Sequence, residues 1–149
     1  MVEERYVAFK GLKLFVREQG DGRPLLLING LGGNTQMWRV AQRRLSKTAR
    51  TIAFDAPGTG RSRLSPVPLP LPILARAIGR MLDELGHDRV DVAGYSLGGV
   101  VAQQFARTLP ERVRRMALVG TACGWGMAPP EPEPLALITS PLRYFSKRV

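Results

Sequence analysis

Apolar positions along this chain change their period several times, and each change marks an element. Residues 6–9 and 12–17 read as two strands joined around Gly11, an opening hairpin. Asp21-Gly22 turns the chain. Residues 24–29 are a nearly continuous apolar run of strand length, the pattern of a strand covered on both faces. Met37, Trp38, Ala41 and Leu45 then recur at helical spacing, with Trp38 on the apolar face. A short strand is predicted at 51–54, followed by Asp55-Ala56-Pro57-Gly58-Thr59-Gly60, a loop dense in turn residues.

Pro66, Pro68, Pro70 and Pro72 lead into a second helix with apolar positions Leu74, Ile78, Met81, Leu82 and Leu85, and Gly86 is placed to stop it. Residues 89–93 read as a fifth strand. Val100, Val101, Phe105 and Leu109 give a third helix closed by Pro110, and 114–119 a sixth strand. After two opening strands, strand and helix alternate, which predicts an α/β fold with a largely parallel sheet. Between Met127 and Pro134 four residues in eight are proline. That change divides the chain into a core over 1–126 and a proline-rich linker with the start of a lid over 127–149.

Composition narrows the class. The 149 residues are 44% hydrophobic, enough for one modest domain with a real core. No stretch approaches the length of a membrane span, and residues 1–5 carry no apolar signal region, which predicts a cytoplasmic protein. The single cysteine, Cys123, reads as a small buried residue near a strand end. The net charge of +10 raises the question of nucleic acid. The basic residues are scattered, with no aromatic interleaving and no nucleic-acid motif, so the reading is a solvated basic surface. One histidine and one cysteine cannot build a metal site, and Gly30-Leu31-Gly32-Gly33 lacks the full dinucleotide fingerprint, so neither metal nor cofactor is expected.

The most chemically specific stretch is Gly94-Tyr95-Ser96-Leu97-Gly98-Gly99. It reads G-x-S-x-G, with a predicted strand before it and a helix after it. That context is a nucleophile elbow, a sharp strand-to-helix turn that presents one serine oxygen above the sheet. Gly94 and Gly98 are expected where strand and helix crowd together. The competing reading is a plain glycine-rich turn.

These residues resemble the α/β-hydrolase family, and within it the intracellular medium-chain-length polyhydroxyalkanoate depolymerases. The closer resemblance rests on Leu27-Ile28-Asn29-Gly30-Leu31-Gly32-Gly33, on Phe54-Asp55-Ala56-Pro57-Gly58-Thr59-Gly60-Arg61-Ser62, on Ala102-Gln103-Gln104-Phe105-Ala106 with Pro110-Glu111-Arg112, and on Thr121-Ala122-Cys123-Gly124, Met127, Pro129 and Ser140-Pro141-Leu142-Arg143-Tyr144. One departure is Leu97, where that subfamily often carries tryptophan. The resemblance implies ester or polyester cleavage through an acyl-serine on Ser96, without a cofactor, at polyester granules. It makes the backbone N–H of Leu97 one oxyanion donor and that of Leu31, after Asn29-Gly30, the other. It makes Asp55 a structural turn residue. Trp125 is read as packing where core meets lid.

The partners of the serine are the difficulty. Elbow enzymes order the triad as serine, acid, histidine along the chain. The one histidine, His87, precedes the fifth strand while Ser96 follows it. At about 3.3 Å per residue the two should stand roughly 15–20 Å or more apart, at opposite ends of the sheet. Glu131 and Glu133 fall in the proline-rich segment and read as solvated. The expectation is therefore the N-terminal part of an α/β-hydrolase fold, truncated before the last two strands, with an open apolar edge at Met116-Ala117-Leu118-Val119. Such a chain would be poorly stable and nearly inactive alone. It would pair through that edge with a C-terminal half or a second copy. A non-catalytic fragment that binds a partner is the alternative, and an electrostatic binding module a third.

Overall fold

The computed structural model describes residues 1–66 and 69–122. The expectations for the 127–149 segment, and for Cys123, Trp125, Glu131 and Glu133, lie outside the described residues. β1 (Val2–Phe9) and β2 (Leu12–Gln19) form the hairpin, joined through Lys10 and Gly11, both at positive φ. That backbone matches the right-handed twist of the flanking strands. β1 starts four residues before the predicted strand. Its early residues are charged, and the ion pairs they make across the hairpin take the place of an apolar alternation. Arg5 reaches Glu18 at 3.1 Å, and Glu4 lies 3.5 Å from Arg17.

β3 (Arg23–Ile28), β4 (Ala49–Phe54), β5 (Val90–Tyr95) and β6 (Val113–Val119) complete a six-stranded sheet in the order β1-β2-β4-β3-β5-β6. β1–β2 and β2–β4 are antiparallel and the other three pairings parallel. α1 (Arg39–Leu45) follows a single 3-10 turn (Thr35–Trp38) after β3. α2 (Leu71–Glu84) lies between β4 and β5, and α3 (Leu97–Thr108) between β5 and β6. The α/β class, the strand order along the chain and all three helices agree with the sequence reading.

The two faces of the sheet differ. Alternate residues of a strand point to opposite faces. Ile52 and Phe54 of β4 join Leu26 and Ile28 of β3 in a core capped by Leu74, Ile78, Met81 and Leu82 of α2 and Val101, Ala102 and Phe105 of α3. Burying such a side chain contributes about 1.5–3 kcal/mol, so this face dominates the stability. α2 ends in a Schellman cap: Gly86 sits at φ 77°, its N–H bonds Asp83 O, and His87 N–H bonds Leu82 O at 2.9 Å.

The other face corrects the sequence reading of α1. Met37 and Leu45 of the supposed apolar stripe are exposed, and Trp38 is half-buried. The fully buried residue is Gln42. Its amide donates to Thr51 Oγ1 at 3.2 Å and to Arg17 O at 3.3 Å, and its oxygen accepts from the Arg17 guanidinium. A satisfied buried amide costs little, so a polar side chain holds this helix to the sheet. No helix among the described residues is long and apolar enough to cross a membrane.

β6 is the sheet edge among the described residues and pairs with β5 alone. Met116, Leu118 and Val119 are exposed there.

Candidate active site

Parallel register brings the two glycine-rich loops together. Ile28, the last residue of β3, pairs with Gly94 of β5, so both strands deliver their following loops to the same end of the sheet. β4 and β5 flank β3 on opposite sides, which makes this the switch point where open α/β sheets hold ligands.

Ser96 sits between β5 and α3 with φ 52° and ψ −125°, and it caps α3. Apart from Lys10 it is the only described non-glycine residue at positive φ. Such a conformation costs on the order of 1–3 kcal/mol and needs support on every side. Its own N–H bonds Val119 O of β6 at 2.9 Å, and its carbonyl accepts Gly99 N–H at 2.9 Å. The glycines around it are there for space. A Cβ at Gly94 would stand 2.5 Å from Gly98 O and 2.6 Å from Gly99 Cα. One at Gly98 would strike the carbonyl oxygen of Ile28 and stand 2.5 Å from that of Asn29. Both agree with the sequence reading. Gly99, to which that reading gave no role, is equally constrained, because a Cβ there would strike the side chain of Thr121. A second glycine directly after Gly98, in the first turn of the helix, was the available signal.

Across the turn, Gly30 approaches Ser96. A Cβ on Gly30 would lie 3.1 Å from Ser96 Cβ and 3.3 Å from Tyr95 O. Leu31 follows, with 48% of its surface exposed, and Leu97 is 40% exposed. Leu97 opens α3, so its N–H lies in the turn whose donors lack intrahelical acceptors. Beside both leucines lies a cavity of about 610 Å³, within the range that holds small-molecule ligands. Its wall is largely apolar, with Leu64, Leu69, Leu71 and Leu74 facing Leu31 and Leu97. The sequence reading missed this wall; leucines spaced between the prolines before α2 were its only trace.

Asp55 serves as a turn residue, as expected. It is buried at the end of β4, and its two oxygens accept Thr35 N–H at 2.6 Å and Arg61 N–H at 2.7 Å. It thereby ties the loop after β3 to the loop after β4. His87 stands at the far end of the sheet, its Nε2 2.8 Å from Glu18 Oε1. Glu18, 2% exposed, also accepts from Arg50 at 3.0 Å and Arg5 at 3.1 Å. Burial pushes the Glu18 carboxyl up, but the hydrogen bonds and charges of His87 and Arg50 outweigh it and hold the group below the usual carboxylate range. Among the described residues no group of three or more His, Cys, Asp or Glu is positioned to hold a metal.

Residues 23–144 match the α/β hydrolase fold family. This chain belongs to that family. It is 42% identical over 121 residues to a poly(3-hydroxyalkanoate) depolymerase of Ectopseudomonas oleovorans, covering 81% of this chain and 43% of that protein. It is 36% identical to a putative carbamate hydrolase, RutD, of Azorhizobium caulinodans, over 77% of this chain and 42% of the relative. Among solved structures, Cfl2 of Burkholderia cenocepacia superimposes with a TM-score of 0.80 at 28% identity, covering 88% of this chain and 47% of that one. Est816, described as an N-acyl homoserine lactone degrading enzyme, does so with a TM-score of 0.81 at 25% identity, covering 95% and 54%. The chain thus spans less than half the length of these two curated relatives. The six-stranded sheet is a portion of the α/β hydrolase fold.

Proposed function

We propose that this α/β hydrolase acts on ester bonds with Ser96 as nucleophile, on an aliphatic polyester or acyl ester of the kind named by its depolymerase relative. The observation that carries the reading is the left-handed, strained backbone of Ser96 at a strand-to-helix junction, close to Gly30, with its neighbours Leu97 and Gly30 in the wall of an apolar cavity. Strain of this kind is kept where an oxygen must stand clear of the sheet.

The proposed step runs as follows. Ser96 Oγ bonds to the acyl carbon while its proton passes to a base. The carbonyl electron pair moves onto oxygen, where the N–H groups of Leu97 and Leu31 stabilise it, each contributing on the order of 10²–10³ in rate. The pair returns and expels the alkoxide, which takes the proton. Water then repeats the sequence on the acyl-serine. The leucine-lined cavity suits an aliphatic acyl chain.

His87 is committed to Glu18 at the opposite end of the sheet, so in this reading the base and its acid come from outside these 149 residues and the chain alone turns over esters negligibly. The test is hydrolysis of p-nitrophenyl butyrate by the 149-residue chain alone and co-expressed with the C-terminal half of the Ectopseudomonas oleovorans depolymerase. The expected result is turnover only in the combination, abolished by Ser96→Ala. Turnover that survives Ser96→Ala, or ordinary turnover by the chain alone, overturns the proposal.

The exposed apolar edge of β6 favours a second reading, a chain whose role is to bind such a partner without catalysis. Under that reading the combination forms a stable complex and remains inactive.

A further inference from the structure

A second cavity borders the loops after β3 and β4, and its chemistry is the reverse of the first. It has a volume of about 280 Å³ and is built from the loops after β3 and β4 together with residues of β1, β2 and α1, and Ser96 is not in its wall. Three arginines line it, Arg17, Arg39 and Arg61. Two carboxylates stand in the wall, but their oxygens are already engaged. Asp55 holds the backbone N–H groups of Thr35 and Arg61. Glu4 accepts from Arg61 at 2.7 Å, and its other oxygen lies 3.5 Å from Arg17 Nε.

Arg17 is the decisive residue. It is 9% exposed and comes from the middle of β2. One terminal nitrogen donates to Gln42, while the buried Nε makes no hydrogen bond and has Glu4 only at ion-pair range, 3.5 Å away. Burial and the nearby charges of Arg39 and Arg43 press its guanidinium below the ordinary value, while Glu4 offsets this only in part. Arg39 has no carboxylate partner among the described residues, and the Arg61 guanidinium sits over the Phe15 ring, 4.4 Å from its centre, and pairs with Glu4, which fixes that wall. Glu4 is the one carboxylate beside Arg17, and it is shared with Arg61, so the wall of three arginines and two engaged carboxylates keeps an excess positive charge and a buried donor without an acceptor, which a bound anion would satisfy.

We propose that this cavity binds a small oxyanion, a carboxylate or a phosphate, held by Arg17 and Arg39 with Arg61 as its fixed wall. The site is independent of the role given to Ser96. It would be tested by calorimetric titration of the 149-residue chain with sodium 3-hydroxybutyrate and with sodium phosphate, against sodium chloride at equal ionic strength. The expected result is saturable binding of one or both oxyanions, weakened about tenfold or more in Arg17→Met and in Arg39→Gln. The tighter of the two identifies the source. Arg39 is exposed at the rim, so Arg39→Gln keeps the test decisive even where Arg17→Met does not fold. Heats no larger than those of chloride, or unchanged affinity in Arg39→Gln, overturn the proposal.

Discussion

Replacing Gly98 by alanine separates two opposed expectations. Gly98 lies in the first turn of α3, where helix propensity alone favours alanine by roughly 1 kcal/mol or less. Its φ is not in the left-handed region, so the backbone itself accepts a side chain. The surroundings do not. The added methyl meets two consecutive backbone carbonyls, Ile28 O and Asn29 O, the latter at 2.5 Å. Overpacking costs about 1–3 kcal/mol, and the upper end applies where the obstacle is backbone rather than a side chain that can turn aside. Subtracting the propensity gain leaves a net loss of about 2 kcal/mol. For a chain of this size that is a fall of about 6 °C in Tm. Gly79→Ala in α2 is the control, since its methyl would meet only the Leu109 side-chain end at 2.5 Å. That end can rotate away, and the expected change is within about 1 kcal/mol. Urea denaturation of the three proteins measures the difference. Gly98→Ala as stable as wild type, or Gly79→Ala equally damaged, refutes the argument that fixed carbonyls at the elbow set the requirement for glycine.

Glu18→Gln should cost about 2 kcal/mol at neutral pH, because Arg50 loses its buried counter-charge and the hydrogen bonds to Arg50, Arg5 and His87 are weakened. The native carboxyl is held below its unfolded value of 4.5, so its contribution is complete above that pH and is lost as pH falls through the folded value. Acid titration of stability should therefore be shallower below about pH 4.5 in the variant, and an unchanged acid limb would rule the ion cluster out as its source. Met116→Lys, on the exposed edge strand, should reduce concentration-dependent light scattering with little loss of stability, and scattering equal to wild type would show that β6 is not the associating edge.

The parts of this molecule legible in the sequence are those set by period and by glycine. The order of strands and helices and the remoteness of His87 followed from spacing, the crowding at Gly94 and Gly98 from the G-x-S-x-G motif, and the turn role of Asp55 from the family resemblance. Polar contacts between distant segments were not legible. Periodicity placed Met37 and Leu45 inward, yet Gln42 faces the sheet because Thr51 and Arg17 satisfy its amide. It began β1 at Tyr6, because Glu3, Glu4 and Arg5 look like a solvated terminus until Arg17 and Glu18 stand across from them. The arginine-lined cavity escaped for the same reason, since Arg17, Arg39 and Arg61 meet only after β2, α1 and the loop following β4 are folded together.

The hydrogen bond from Ser96 N–H to Val119 O has a consequence for how long the serine keeps its geometry. A strained residue relaxes when any of its restraints lets go, and this restraint comes from the last residue of the outermost described strand. Proteins open locally at free energies far below that of global unfolding, and strand ends at a sheet border open first. The lifetime of the serine's geometry is therefore that of the border strand rather than that of the core beneath it. In amide exchange, Ser96 should lose protection together with the end of β6, well before Ile28 or Val92 in the buried centre of the sheet.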